Sequence, residues 1–203
     1  MRDAAPKTVY LAEYTPFGFI VEDVSLTFDL DPHKTRVKSR IAFRPNPEAT
    51  DKTFFLHGEN LDLISATIDG KPVNTEQTDE GLTCPVPDAP FVWEAEVEID
   101  PANNTALEGL YMSNGMYCTQ CEAEGFRKIT YYPDRPDVMA TFNVTVNGPH
   151  PVLLSNGNPV KTSQHHVEWH DPWPKPLIFL PWSPVIWWLI PTASPRCRAA
   201  RSI

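Results

Sequence analysis

The sequence predicts an all-β protein, with antiparallel β-sheets in a sandwich or saddle-like arrangement and one long functional loop over residues 101–137. Three observations predict it. Apolar residues alternate with polar ones at period two in segment after segment, the signature of strands with one buried face. Turn-forming residues recur between those segments about every 8–12 residues, the spacing of an antiparallel sandwich. Proline supplies 22 of the 203 residues and glycine only 9, so the chain is rich in helix-breaking punctuation and poor in flexible linker.

The elements follow in order. Val24, Leu26, Phe28 and Leu30 alternate with Ser25, Thr27 and Asp29, and Asp31-Pro32-His33-Lys34 then turns the chain. Val37, Ile41 and Phe43 alternate with Arg36, Lys38, Arg40 and Arg44, giving the second arm of a hairpin with a basic outer face. Ile64, Ala66 and Ile68 run into Asp69-Gly70, a strong two-residue hairpin signal, with Pro72-Val73 after it. Phe91, Trp93, Ala95, Val97 and Ile99 alternate with Glu94, Glu96 and Glu98 in the clearest strand of the chain. Phe142, Val144 and Val146 form another, and Pro151–Ser155 and His166–Trp169 are expected as two shorter strands. Between Pro101 and Pro136 the alternation stops; an irregular loop of that length inside a β domain is uncommon and usually functional.

Charge narrows the partners. With 17 basic against 26 acidic residues the net charge is −9, which removes the phosphate-neutralising surface that nucleic-acid binding needs. All 26 acids lie before residue 177; the tail 177–203 has none, and carries Trp182, Trp187, Trp188, four prolines and Arg196, Arg198 and Arg201. Its apolar run from Leu177 to Ile190 is interrupted by Pro181 and Pro184 and falls short of the about 20 residues of a spanning helix, so no membrane partner is expected. Residues 1–176 are therefore expected as one β domain and 177–203 as a poorly ordered tail. The opening Met1-Arg2-Asp3-Ala4-Ala5-Pro6-Lys7 has no apolar h-region, and four cysteines are too few for a disulfide scaffold, which together point to a cytoplasmic, reducing setting.

Two groups in the 101–137 segment bear on chemistry. Cys118-x-x-Cys121 fits half of a tetrahedral zinc site, but Cys84 and Cys197 are isolated and no second close pair exists. It also fits a redox pair without the expected βαβ context, or two small buried hydrophobes. Glu122 and Glu124 flank Ala123 among aromatics, with Arg127, Asp134, Arg135 and Asp137 close in sequence. A carboxylate on a loop over a rigid β scaffold binds a ligand cation through charge-assisted hydrogen bonds. Equally, both acids fit surface pairs with Arg127 or Arg135.

Leu107-Glu108-Gly109-Leu110-Tyr111, then Tyr117-Cys118-Thr119-Gln120-Cys121-Glu122-Ala123-Glu124-Gly125-Phe126-Arg127, then Tyr131-Tyr132-Pro133-Asp134-Arg135-Pro136-Asp137-Val138 resemble one known family. That family is bacterial aminopeptidase N, the alanyl aminopeptidases among the His-Glu-x-x-His zinc aminopeptidases, and the likeness is to its N-terminal domain. Leu26-Thr27-Phe28-Asp29-Leu30-Asp31, His57-Gly58-Glu59-Asn60-Leu61, Leu154-Ser155-Asn156-Gly157-Asn158 and Asp171-Pro172-Trp173-Pro174-Lys175-Pro176 look like family text in family order. The likeness covers residues 8–176 and stops at Pro176, where the composition also breaks, so the tail resembles translation in a shifted reading frame that ends early, with a genuine alternative C-terminal module as the other reading.

The resemblance implies a metallopeptidase that releases N-terminal amino acids, alanine among them, from peptides, with zinc held by His-Glu-x-x-His and a downstream Glu. None of that motif stands in this chain, so no catalytic residue and no metal ligand is expected here, the catalytic domain normally following in cis. His166-Val167-Glu168-Trp169-His170 has the wrong order, and on a strand its two histidines lie about 13 Å apart. Glu122 matches the family glutamate that accepts hydrogen bonds from the free α-ammonium of the substrate, and Gln120 matches the neighbour lining the first specificity pocket. The implied function is an amine-anchoring domain of a zinc aminopeptidase. A non-catalytic β domain that binds peptides or proteins through the same acidic loop is the alternative.

Overall fold

The computed structural model describes residues 10–176, and the expectations for 177–203 lie outside them. The chain first forms strands β1 (Phe19–Asp29) and β2 (Thr35–Pro45), joined where the Asp31 carboxylate accepts the backbone N–H groups of His33 and Lys34 at 2.9 Å each. Then come β3 (Phe55–His57), β4 (Asp62–Ile68), β5 (Lys71–Pro72), β6 (Glu76–Thr78), β7 (Gly81–Thr83) and β8 (Phe91–Ile99). The β4–β5 turn is the one the sequence predicts, with φ of 50° at Asp69 and 73° at Gly70, as a primed hairpin turn requires. After β8 follow β9 (Gly109–Ser113), β10 (Met116–Gln120), β11 (Ala140–Asn147), β12 (Asn158–Ser163) and β13 (His166–Lys175).

Eight strands form one sheet in the order β12-β13-β11-β1-β2-β8-β4-β5. Every neighbouring pair is antiparallel except β1 and β11, which run parallel. That pair departs from the strictly antiparallel expectation, and its cause is topological. Both β8 and β11 point the same way as β1, so the chain between them must travel back along the strands before it can pair again. Residues 100–139 make that journey across the inner face and become the second layer, beside the small sheet β3-β7-β6.

The core lies between these layers. Phe54 packs edge-on to Phe19, Phe43 and Phe91, with ring centroids 5.2–5.5 Å apart, and tilts over Trp93. At the other half of the sheet Leu26, Phe28 and Phe142 meet Cys121, Phe126 and Ile129. The outer face is solvated: its basic stripe is met by acids, Arg36 Nε to Glu98 at 2.8 Å and Arg44 Nε to Glu22 at 2.9 Å.

Two expectations are corrected. The 101–137 segment is not irregular: it holds the β9–β10 hairpin and 3₁₀ turns at Pro101–Asn103 and Phe126–Lys128, and Tyr131 and Tyr132 are buried within it. Its strands are five residues each and their buried faces mix Leu110, Tyr117 and Thr119, so the apolar alternation is too short and too polar to stand out. The Asn114-Gly115 dipeptide, with φ of 51° and 78°, is the turn signal that locates the hairpin. No strand forms at 151–155; the strand is β12, an edge with every residue exposed and carrying Pro159 and Lys161, as edges that resist further pairing do. Beyond His170, β13 pairs with β11 alone, and Pro172 and Pro174 fall there. Among the described residues no helix is long and apolar enough to cross a membrane.

Candidate functional site

The turn after β10 is built by close packing. Gly125 donates its N–H to the Cys121 carbonyl at 2.9 Å, and a Cβ on Gly125 would stand 2.2 Å from the Gln120 carbonyl oxygen. Gly109 has φ +69°, and a Cβ there would stand 2.7 Å from Lys128 Cβ, so the start of β9 packs this closely only as glycine. Below the turn, Phe126 is buried edge-on against Tyr132, with centroids 5.3 Å apart. Gln120, Glu122, Ala123 and Glu124 are exposed at the top of this floor, and the Glu122–Ala123 peptide is cis.

The charges sort themselves by depth. Arg127 Nε donates to Asp134 Oδ2 at 3.0 Å, the Arg127 backbone N–H reaches the same oxygen at 3.2 Å, and Nη2 donates to the Asp134 carbonyl at 3.3 Å. Its Nη1 lies 3.9 Å from Glu59 and 3.4 Å from Glu124. Lys128 bridges Glu59 at 3.6 Å and Glu108 at 3.0 Å. The side chains of Asp134 and Arg127 are 1% and 11% exposed, that of Glu124 65%. Burial pushes the Asp134 carboxyl above the usual carboxylate range, with the Arg127 hydrogen bonds pulling against it. Burial, and then the Arg127 charge, hold His57 below its ordinary value. His57 Nδ1 accepts the Asp134 N–H at 3.2 Å, so the ring is neutral with its proton on Nε2.

Glu124 is thus paired with Arg127, one of the two arginines the sequence offers. The other, Arg135, is used elsewhere: it grips Asp137 through two 2.8 Å bonds and donates to the Thr15 carbonyl at 2.6 Å, holding the N-terminal strap. Among the described residues the Glu122 carboxylate makes no hydrogen bond or ion pair. Gln120 donates from Nε2 to the Glu122 carbonyl at 3.2 Å, which steadies the turn and leaves its Oε1 available as an acceptor. Glu122 and Gln120 do not line the cleft of about 310 Å³ beside Lys128. They present an open surface.

Sequence reasoning does not bring Glu59 and His57 to this floor. They come from β3 and the residues just after it through the His57–Tyr132 bridge, with backbone bonds of 2.9 and 3.1 Å, and through Glu59 N–H to the Arg127 carbonyl at 2.9 Å. No local spacing signals a pairing between His57 and Tyr132, 75 positions apart. Among the described residues no three His, Cys, Asp or Glu come together as a metal site, and this side-chain set does not fit zinc. Cys84, Cys118 and Cys121 are free, and burial pushes the Cys121 thiol up to about 12, so it stays protonated. His166 and His170 are strand residues facing Asn147 and Asn143, at 2.7 and 2.8 Å.

A two-layer all-β domain with a pinned acidic turn is the class the geometry defines, and comparison with known proteins names it. The chain belongs to the Peptidase M1 N-terminal domain family, whose model matches residues 15–176. It is 49% identical over 187 residues to aminopeptidase N of Caulobacter vibrioides, covering 87% of this chain and 21% of that relative. Against aminopeptidase N of Escherichia coli the identity is 42% over 181 residues, covering 84% and 21%. The crystal structure of Legionella pneumophila aminopeptidase A in complex with aspartic acid superposes with a TM-score of 0.76 at 32% identity, covering 83% of this chain and 21% of that one. An M1 zinc metallopeptidase from Deinococcus radiodurans, at 17% identity and a TM-score of 0.65, covers 79% of this chain and 41% of that one, and shares the fold. This chain spans about a fifth of the length of the curated relatives it matches.

Proposed function

We propose that residues 10–176 serve as the amine-anchoring domain of a zinc aminopeptidase, in which Glu122 receives the free α-ammonium of a peptide and Gln120 lines the pocket for its first side chain. The observation that carries this is the difference between two neighbouring acids. Glu124 is ion-paired to Arg127, whereas Glu122, on the same pinned turn, is exposed and its carboxylate has no hydrogen-bond or ion-pair partner among the described residues.

An α-ammonium brings three N–H donors and a full charge to that carboxylate. An internal peptide position brings neither, so covering the site would leave Glu122 desolvated and unpaired, and the substrate would be rejected. On the open surface seen here the attraction is screened and weak. Discrimination therefore requires more protein over the turn, which we assign, together with the zinc chemistry, to the length of the relatives beyond this chain.

The test is a chimera. Residues 1–176 replace the matching segment of the Caulobacter relative, and alanyl-anilide hydrolysis is measured. Glu122→Gln is expected to lower kcat/KM about 30- to 4,000-fold, the cost of truncating a desolvated charge pair of about 2–5 kcal/mol, with zinc content unchanged. Glu124→Gln is expected to change it less than about twofold. Equal small effects at both positions refute the anchor. Peptide binding by the 203-residue chain alone, dependent on Glu122, would instead favour a free-standing binding domain.

A further inference from the structure

We propose that Arg127 is a positioning residue for Glu122: its guanidinium clamps the turn from beneath and takes up the charge of Glu124, leaving one carboxylate for an incoming ammonium. This inference rests on the anchoring role given to Glu122.

Arg127 ties three separated segments together. Its Nε and Nη2 hold Asp134, its Nη1 faces Glu59 and Glu124, and its carbonyl accepts the Glu59 N–H at 2.9 Å. With its side chain 11% exposed, it lies under the turn and is not itself presented to a ligand. The turn is short: only Ala123 and Glu124 separate Glu122 from Gly125, and Gly125 is the residue pressed against the Gln120 carbonyl. A shift of Arg127 therefore passes to Glu122 with little chain between them to absorb it.

The same guanidinium also sorts the charges. Two free carboxylates two residues apart would repel one another and offer an ammonium two competing positions. With Glu124 held at 3.4 Å from Nη1, the turn offers one. Lysine cannot reproduce this arrangement, because a single ammonium lacks the planar fork that serves Asp134 from one edge and Glu59 and Glu124 from the other.

A double-mutant cycle in the Caulobacter chimera separates positioning from mere structure. Arg127→Lys is expected to lower kcat/KM about tenfold in the parent and less than about twofold in the Glu122→Gln background, with zinc content retained in both. In the 203-residue chain, the same substitution is expected to speed hydrogen exchange of the Gly125 amide, which bonds the Cys121 carbonyl. If Arg127→Lys fails to fold, Asp134→Asn weakens the Nε clamp by removing its charge while keeping volume, and the same non-additivity is expected. Equal losses in the two backgrounds, or no loss in the parent, overturn the positioning role and leave the anchor standing. No loss on Glu122→Gln overturns the anchor itself, and the positioning role with it.

Discussion

The outer face of the large sheet and the floor beneath the acidic turn use the same chemistry, arginine against carboxylate, in opposite surroundings. On the outer face Arg36 meets Glu96 and Glu98 with side chains 21–39% exposed. On the floor Arg127 meets Asp134 at a similar distance, but the Asp134 side chain is 1% exposed. Water screens the first set, so each pair contributes about 0–1 kcal/mol. The second is shielded, so removing either partner leaves a charge with no water to receive it. Burial, and not the type of pair, decides which of them organises the site.

The sharpest way to break this comparison is to remove one arginine from each set. Arg127→Met is expected to destabilise the 203-residue chain by about 3–5 kcal/mol, against less than about 1 kcal/mol for Arg36→Met, measured by urea unfolding. Similar values at the two positions would show that burial does not separate them.

The turns allow a finer comparison. At Gly125 an added methyl meets the Gln120 carbonyl at 2.2 Å, whereas at Gly70 nothing lies within 4 Å and only the φ of +73° opposes it. Gly125→Ala is expected to cost about 1–3 kcal/mol or more through overpacking, and Gly70→Ala about 1 kcal/mol through left-handed backbone strain, read from thermal unfolding.

His57 gives the floor a pH signature of its own. Its folded pKa lies below the ordinary 6.5 because of burial and the Arg127 charge, so the unfolded chain binds the extra proton first. The neutral ring therefore contributes stability above that value, and the contribution is lost as pH falls from it toward the folded pKa. Stability should decline over that interval, and His57→Gln should flatten the slope. An unchanged slope would remove His57 from the account.

The smallest stability effect is expected where the functional effect is largest. The Glu122 carboxylate is exposed and unpartnered among the described residues, so Glu122→Gln should shift unfolding by less than about 0.5 kcal/mol. A large loss would mean that its carboxylate supports the fold.

The sequence by itself determined the strand periodicity, the hairpin at Asp69-Gly70, the basic stripe of β2, the glutamate alternation of β8, and the two acids of the turn. These are local properties: alternation at period two and turn chemistry act between residues a few positions apart. Resemblance to the family singled out Glu122 and Gln120, which spacing alone left level with Glu124. Only the tertiary structure decided that 101–137 is a packed layer, that β1 and β11 run parallel, and that Glu124 spends its charge on Arg127. It also brought His57 and Glu59 to the floor. Those outcomes depend on what a segment meets after the chain has crossed the sheet, and burial, which sets the strength of every charge in the site, exists only once the layers have closed on one another.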